Sequence, residues 1–311
     1  MKQTLTRLAL TLPVVWLVVS LVFFLIHMVP GDPVAMILGE GASVADTAVL
    51  RHALHLDEPL HVQYVDYWAG VAHGDLGRSI RMKDSVGHLV AQRYPYTLVL
   101  TLTSLLLALL LALPAGVWAA VYRGKAADHL LSFVSLFGLS VPGIALGPML
   151  ILIFSISLGW LPVSGANAGG SATIDWRYLV LPTVAMGASL AAILTRIVRT
   201  SMLEELGQDY VRTARAKGLS EAAVLWRHAL PNALVPIVTV VGLQFGALLA
   251  GAIVTETIFS WPGLGRLTVS AISNRDYALV QGCLLAIGLT YVLVNFLTDL
   301  VYHVVNPRMR G

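Results

Sequence analysis

The stretch Thr97–Val121, with the sequence TLVLTLTSLLLALLLALPAGVWAAV, decides the class of fold to which this chain belongs. It runs for 25 residues without a single Asp, Glu, Lys, Arg or His. The hydrocarbon core of a bilayer is about 30 Å thick, and about 20 apolar residues cross it as a helix. Only helices and closed barrels satisfy their backbone hydrogen bonds within lipid. We therefore predict that this stretch is a membrane-spanning helix.

Five further stretches share this length and apolar character. The composition agrees, because 57% of the 311 residues are hydrophobic and only 12% are charged, against about 25% charged in a soluble domain. The first stretch is too long for a signal-peptide core and no small-x-small cleavage site follows it, so we predict an uncleaved anchor. The predicted fold class is an all-α integral membrane protein, a single transmembrane domain with six transmembrane helices. The other five predicted spans lie near Leu8–Val29, Leu130–Leu158, Tyr178–Val198, Leu234–Ile258 and Leu279–Val304.

The basic residues predict the orientation of these helices, because Lys and Arg concentrate in the cytoplasmic connections of membrane proteins. Twelve of the 20 Lys and Arg residues fall in the connections that face the cytoplasm if the N-terminus does. Five of the other eight lie in one long outer segment, where this bias is weak. We therefore expect both termini and residues 199–232 to be cytoplasmic, and residues 30–95 to be extracytoplasmic.

The outer segment 30–95 is too long to be a simple connection. Ser43 is placed to cap a helix that continues through Asp46 to about His55. After Pro59, apolar and aromatic residues recur at helical spacing, which predicts an amphipathic helix suited to a membrane interface. No metal site is predicted, because no carboxylate or cysteine at ligand spacing completes the set of nearby histidines. Those histidines are His52, His55 and His61.

Ionisable side chains lie near the ends of the predicted spans rather than at their centres. Arg196 and Asp299 are near inner ends, and Glu256 is near an outer end, where a long side chain can reach the interface. Carriers driven by protons or sodium ions usually need ionisable groups near the midplane. The pattern therefore argues against a carrier that uses an ion gradient alone.

The fifth predicted span carries a face of small residues in the segment GLQFGALLAGA, residues 242–252. One interpretation is ordinary packing, because glycine lets helix backbones approach closely. The other is that this span packs against a partner subunit and lines a pore, with Gln244 as its polar group. The small residues that open these alternatives include Gly242 and Gly246.

The longest strongly charged run is DYVRTARAKGLSEAAVLWRHALPNA, residues 209–233. Just before it, SMLE at 201–204 has the spacing of a capping box and predicts that a helix starts there. Gly218 predicts a C-terminal break, and Ser220 predicts the cap of a second helix. Pro231 is expected to discourage continuation of that helix. The segment is thus predicted to be a helix-turn-helix anchored at both ends by membrane spans.

Two other interpretations of this loop are weaker. ARAKGLS, residues 214–220, looks like the centre of a DNA-binding helix-turn-helix, but that fold needs a third helix and no sequence remains to build it. A solvated basic loop at an anionic membrane surface does not explain the caps, the break and the amphipathic faces. A docking surface for a partner protein explains all three, and we favour it over a membrane-anchored DNA-binding regulator.

The loop resembles the cytoplasmic loop of bacterial ABC importer permeases, whose motif is EAA-x3-G-x9-I-x-L-P. RTA at 212–214, Gly218 and HALP at 228–231 keep every spacing, whereas the literal EAA at 221–223 lies after the glycine and is not the motif. The first position is Arg rather than Glu, which is similar to the dipeptide/oligopeptide/nickel branch, where RTARAKG is typical. The predicted coupling residues are Arg212, Thr213, Ala214, Gly218, His228, Leu230 and Pro231.

Segments along the rest of the chain resemble the first permease of the same branch: HMVPGDP, HGDLGRSI, TETIFSWPGLGRL, NRDY and VVNPRMR. The resemblance covers essentially the whole chain and implies a multi-pass protein of the bacterial inner membrane. It implies a heterodimer with a second permease, two cytoplasmic ATPases that dock on the loop, and an external solute-binding protein; lipid surrounds it, and no nucleic acid is involved. Small side chains at Ala214 and Gly218 are expected to allow the ATPase to approach closely.

The chain is not expected to be an enzyme. It has no GxxxxGK[ST] phosphate loop, so no cofactor is predicted for this chain, and ATP and Mg²⁺ are used by the partner ATPases. The most probable solutes are di- or oligopeptides, with glutathione or nickel as alternatives in the same importer class. A stand-alone carrier or channel is the alternative of another class. Residues 30–95 are predicted either to receive the binding protein or to cap the pore.

Overall fold

A computed structural model describes residues 2–28, 34, 43–53, 56–167 and 173–305. The all-α fold class is confirmed, since almost all of the described backbone is helical. The predicted helix end at His55 and the closing residues 306–311 lie outside the described part. The helices are α1 Lys2–Met28, α2 Val44–Ala53, α3 Leu60–His73, α4 Val86–Val121, α5 Ala126–Ser140, α6 Gly143–Leu150 with a π-helical continuation Ile151–Ser157, α7 Trp176–Leu206, α8 Asp209–Ala216, α9 Glu221–Ile258, α10 Leu264–Ser273 and α11 Tyr277–Val305.

Four of the described helices are long and apolar enough to cross a membrane. These are α4, α7, α9 and the part of α11 from Tyr277 to Val301. The bent pair α5–α6 makes a fifth if it forms one span. Helix α1 contains a shorter apolar segment, Thr11–Phe24, inside a continuous helix of 27 residues. Four of the six predicted spans lie wholly within α4, α7, α9 and α11, the described part of the first lies within α1, and the third falls on α5 and α6. The count of six and the cytoplasmic termini stay predictions.

The third predicted span, residues 130–158, is not one straight helix. Helices α5 and α6 are bent by 96° at a short break. Val141 at the break has an extended backbone, with φ −81° and ψ 115°, and Pro142 follows it. A proline disfavours the helical conformation in the residue before it, so the break has a local cause. The predicted span 130–158 therefore consists of two helical pieces that meet at Val141 and Pro142.

The chain divides into two compact units, of which the first comprises Met1–Pro95 and Gly263–Val292. In this unit α3 packs its aromatic side against α1. The Tyr64 ring lies edge-on to Phe23 at 5.3 Å, and its hydroxyl is 2.6 Å from the Ser20 hydroxyl. The amphipathic helix predicted after Pro59 is thus present, and a neighbouring helix covers part of its aromatic face.

Caps and short polar contacts hold the rest of this unit. Ser43 Oγ accepts a hydrogen bond from the Asp46 amide at 3.0 Å, which confirms the predicted cap of α2. Ser79, in the segment before α4, donates to Asp276, just before α11, and both side chains are buried. A hydrogen bond from His88, helped by the Ser85 amide, lowers the pKa of Asp84 below its usual value. The described residues of the outer segment are therefore held by a helix cap, buried hydrogen bonds and local ion pairing.

The second unit comprises Tyr96–Pro262 and Leu293–Gly311. Helix α7 is its centre and packs against α4, α5, α6 and α9. A Cβ on Gly187 would lie 2.9 Å from the backbone oxygen of Ser104, so α4 and α7 approach closely at this glycine. The largest buried cluster of the unit includes Leu100, Ala108, Leu190, Leu194, Leu248 and Trp261.

Glu256 is buried within the second unit and does not reach an interface as expected. Its side chain is 0% exposed. Thr97 donates a hydrogen bond to its Oε1 atom at 2.5 Å. The indole of Trp261 donates a hydrogen bond to the backbone oxygen of Tyr96, the residue before Thr97, at 3.0 Å. Glu256 does lie near the end of its helix, but packing within the second unit, including the contact with Thr97 of α4, buries it.

We expect Glu256→Leu to lower the free energy of unfolding by about 1–3 kcal/mol, because it removes the buried hydrogen bond between Thr97 and the carboxylate. Glu256→Gln keeps an acceptor oxygen of the same reach and should lose less than half as much. The thermal unfolding midpoint of the detergent-purified complex measures both. A leucine variant as stable as the wild type would contradict this role.

Candidate functional site

The predicted loop 199–232 begins inside a continuous helix. Helix α7 runs to Leu206, and Ser201 is buried within it, so the prediction that a helix starts at SMLE is wrong. The reason is packing: Val198 and Met202 lie in one buried cluster with Ala229 and Ala233 of α9. The gain from burying these side chains outweighs a local capping signal, which is worth about 1 kcal/mol.

Helix α8 is the separate helix of the loop. Its apolar side packs Val211 and Ala214 against Val224 and Leu206. Ala214 is only 6% exposed. Its small side chain therefore serves the packing of the loop itself, and the expectation that Ala214 leaves room for a partner is not supported by its position.

Gly218 ends α8 in the left-handed conformation that the sequence predicts. Its φ is +76°, and its amide donates to the backbone oxygen of Arg215 at 2.9 Å. No heavy atom of the described residues lies within 4 Å of the point where a Cβ would stand. The glycine is therefore required here by backbone conformation and not by crowding within the chain.

The second helix of the loop begins at the predicted cap but does not end where expected. Ser220 Oγ accepts a hydrogen bond from the Ala223 amide at 3.4 Å. The chain then stays helical from Glu221 to Ile258, with a π-helical segment at Val224–Ala229. Pro231 therefore lies at the start of α-helical geometry rather than at a stop. The wider π turn comes just before it, where a proline ring would clash with a regular α-helical turn.

The predicted coupling residues divide by exposure. Arg212, Thr213, Gly218 and Pro231 are exposed, His228 is half-buried, and Ala214 and Leu230 are buried. The structure also exposes large side chains that the motif did not indicate, namely Tyr210, Leu219 and Trp226. Trp226 is 54% exposed. Exposed aromatic and apolar side chains beside Arg are typical of the centre of a protein interface, and only the helical phase of the loop could have revealed them.

Charges on the loop are partly paired across its two helices. Arg215 donates from Nε and Nη2 to the two carboxylate oxygens of Glu221, at 2.8 and 3.1 Å. Arg212 lies 3.2 Å from Asp209 within the first turns of α8. The exposed Arg215–Glu221 ion pair therefore connects the two helices of the loop across the Gly218 break.

The small residues of α9 lie in two different environments. A Cβ on Gly242 would lie 2.4 Å from Thr298 of α11, so this glycine permits close helix packing within the chain. Gln244 and Gly251 instead line a groove of about 290 Å³ with residues of α6 and α7. Gly246 is half-buried. Close packing within the chain thus accounts for Gly242, while the interpretation that this face meets a partner and lines a pore with Gln244 stays a prediction.

Comparisons with known proteins identify the family. Residues 112–311 match the binding-protein-dependent transport system inner membrane component family, and residues 1–101 match the N-terminal part of such membrane components. The chain therefore belongs to the permease subunits of binding-protein-dependent ABC importers. It is 42% identical to the glutathione transport system permease protein GsiC of Salmonella typhimurium over all of this chain and 99% of the relative. It is 41% identical to GsiC of Escherichia coli K12 over the same shares.

Solved structures agree with the fold. An inward-facing methionine ABC transporter, MetNI, is 20% identical, with a TM-score of 0.59, and the match covers 70% of this chain and 96% of that one. A second crystal form of MetNI gives a TM-score of 0.56 at 19% identity over the same shares. At this identity the likeness concerns the arrangement of helices alone.

Membership of this family settles the class of function. The chain is a multi-pass permease subunit of an ABC importer in the bacterial inner membrane. It has no catalytic activity of its own, because the ATPase is a separate subunit, and it works with other permease, ATPase and binding-protein subunits. The hypotheses of a stand-alone carrier or channel and of a DNA-binding regulator are thereby set aside.

Proposed function

We propose that this chain forms half of the pathway through which an ATP-driven importer carries glutathione. The observation that carries the proposal is the 41–42% identity to glutathione permeases over the full length of the chain. It supports glutathione over the di- and oligopeptides that the family resemblance gave as the default. Glutathione is itself a small peptide, so the two hypotheses share a chemistry of amides and carboxylates.

The groove between α6, α7 and α9 supports a pathway for such a solute. Its lining includes the polar side chains of Ser189, Gln244 and Thr255 among apolar and small residues, and none of the lining residues is ionisable. Amide and hydroxyl groups can form hydrogen bonds to peptide groups, while the lack of a fixed charge avoids trapping a charged solute. A pathway must bind weakly enough to release what it carries.

The loop 199–232 supports a coupling role. We propose that its exposed surface, formed by Arg212, Gly218, Leu219 and Trp226, contacts a cytoplasmic ATPase that uses ATP and Mg²⁺. The second permease would complete a heterodimer and its own loop would take the second ATPase. The two helices of the loop pack on each other through Val211, Ala214 and Val224, and docking would cover the exposed apolar side chains of the loop.

The proposal predicts which solute depends on this chain. Deleting the chain from its native host should abolish uptake of ³⁵S-labelled glutathione, and the wild-type chain supplied on a plasmid should restore it. Uptake of a labelled dipeptide should stay within about twofold of normal. Loss of dipeptide uptake with glutathione uptake unchanged would identify a short-peptide importer instead.

A further inference from the structure

An ion pair near the C-terminal end of α7 joins two residues that lie outside the coupling motif. The carboxylate of Asp128 receives two hydrogen bonds from Arg199, from Nε at 2.6 Å and from Nη2 at 2.8 Å. The Asp128 side chain is 5% exposed and that of Arg199 is 29% exposed. The two residues are 71 positions apart, in the first turn of α5 and near the end of α7.

The same carboxylate also binds the turn between α4 and α5. The Gly124 amide donates to Asp128 Oδ2 at 2.9 Å, and Gly124 holds that turn with φ +74°. A carboxylate in the first turn of a helix satisfies otherwise unpaired amides and interacts favourably with the helix dipole. One side chain thus joins α7, the start of α5 and the turn after α4.

The position of Arg199 relates this joint to the loop. It lies seven residues before Leu206, about 10 Å along the helix axis, and Leu206 packs against Val211, Ala214 and Val224 in the core of the loop. Its neighbour Val198 packs against α9. The ion pair therefore lies on the part of α7 that leads into the loop.

At this point α7 contains a local sequence signal that competes with a continuous helix. SMLE at 201–204 is a helix-start signal, yet the helix continues through it. A buried ion pair adds little net stability compared with apolar residues of similar size, and its better attested use is to fix one arrangement. A bidentate Arg–carboxylate contact is the most directional form of such a pair.

We infer that Asp128 and Arg199 are positioning residues that couple the ATPase to transport. They fix the end of α7 to α5, so that displacement of the loop moves the membrane helices and is not absorbed by a hinge at residues 199–204. The inference rests on the proposed role of the loop as the ATPase-docking surface. It predicts a loss of transport per ATP hydrolysed, with docking intact.

The test uses the complete importer in proteoliposomes, with labelled glutathione as the solute, or a labelled dipeptide if the uptake experiment identifies that instead. Asp128→Asn and Arg199→Gln should each retain normal amounts of ATPase subunit and ATP hydrolysis within about threefold. The ratio of solute transported to ATP hydrolysed should fall tenfold or more. The double variant should be no worse than the worse single variant, because both remove one contact.

Ser132→Ala is the matched control, because its hydroxyl lies one turn from Asp128 at the long distance of 3.5 Å. It should leave the ratio within twofold of the wild type. If Asp128→Asn and Arg199→Gln do not reach the membrane, Arg199→Lys decides, since it keeps the charge and loses the bidentate geometry. A reduced ratio in that variant supports the inference, and a wild-type ratio overturns it.

Three outcomes of these experiments distinguish a failure of this inference from a failure of the proposed role of the loop. If the Asp128 and Arg199 variants lower abundance and transport together while the ratio of transport to ATP hydrolysis stays normal, the ion pair serves only stability. The inference is then overturned. If changes at Gly218 leave ATPase binding intact, the loop is not the docking surface and both ideas fail. A normal ratio in the Asp128 and Arg199 variants with weakened docking in the Gly218 variant removes the inference alone.

Discussion

Replacing Gly218 with alanine is expected to reduce transport about tenfold without changing the amount of this chain in the membrane. The φ of +76° at this residue costs a residue with a Cβ roughly 1–2 kcal/mol. Relief of that strain would turn the second helix of the loop away from its present direction, and docking would have to restore it. Each 1.4 kcal/mol weakens a binding equilibrium about tenfold, so ATPase copurification should fall with transport.

Gly207→Ala is the matched control in the same loop. Gly207 has φ −80° and ψ −11°, and a Cβ there would meet its nearest atom at an ordinary 3.5 Å. An alanine that fits its backbone is neutral or slightly stabilising, so transport should stay near the wild-type level. Equal losses in the two variants would show that the left-handed conformation is not what matters.

Glu221→Ala tests the alignment of the motif. Glu221 is the first residue of the literal EAA, and it forms an exposed ion pair with Arg215. Exposed ion pairs of this kind contribute about 0–1 kcal/mol, so this variant should transport within a fewfold of the wild type. If Glu221→Ala were crippling and Gly218→Ala harmless, the motif would have to be moved onto the literal EAA.

The apolar helices were predictable because hydropathy reports the free energy of transfer into lipid. Their ends and breaks were less predictable, because these depend on packing. Helix α4 begins at Val86, eleven residues before the predicted span, since its first turns pack on α10 and α11 within the first unit. The bend at Pro142 was visible as a proline, but nothing in the sequence indicates an angle of 96°.

The loop shows the same division between local and tertiary effects. The Gly218 break and the Ser220 cap are properties of single residues, and both are present as predicted. The interior of the loop was not predictable, because Ala214 and Val224 are no more apolar than the exposed Leu219 and a core position is set by the phase of two packed helices. The burial of Glu256 has the same origin, because it depends on packing against a neighbouring helix, where Thr97 contacts the carboxylate.

Gly242→Ala should separate packing from pathway on the small face of α9. A Cβ at this position would lie 2.4 Å from Thr298 Cγ2 and 2.9 Å from Thr298 Cβ. Rotating the Thr298 side chain does not move its Cβ, and it would break the hydrogen bond from Oγ1 to the Val294 backbone oxygen at 2.8 Å. Overpacking of this kind costs about 1–3 kcal/mol, and we expect a lower thermal unfolding midpoint for the purified complex.

For Gly251→Ala on the same helix we expect the opposite pattern, with stability kept and transport lowered. No heavy atom of the described residues lies within 4 Å of a Cβ at Gly251, so the unfolding midpoint should be unchanged or raised, because alanine is a better helix former than glycine. Gly251 lines the groove with Gln244, and any loss should appear in transport. If Gly242→Ala is as stable as the wild type, α9 and α11 do not pack as described; if Gly251→Ala also transports normally, the added methyl does not obstruct the groove.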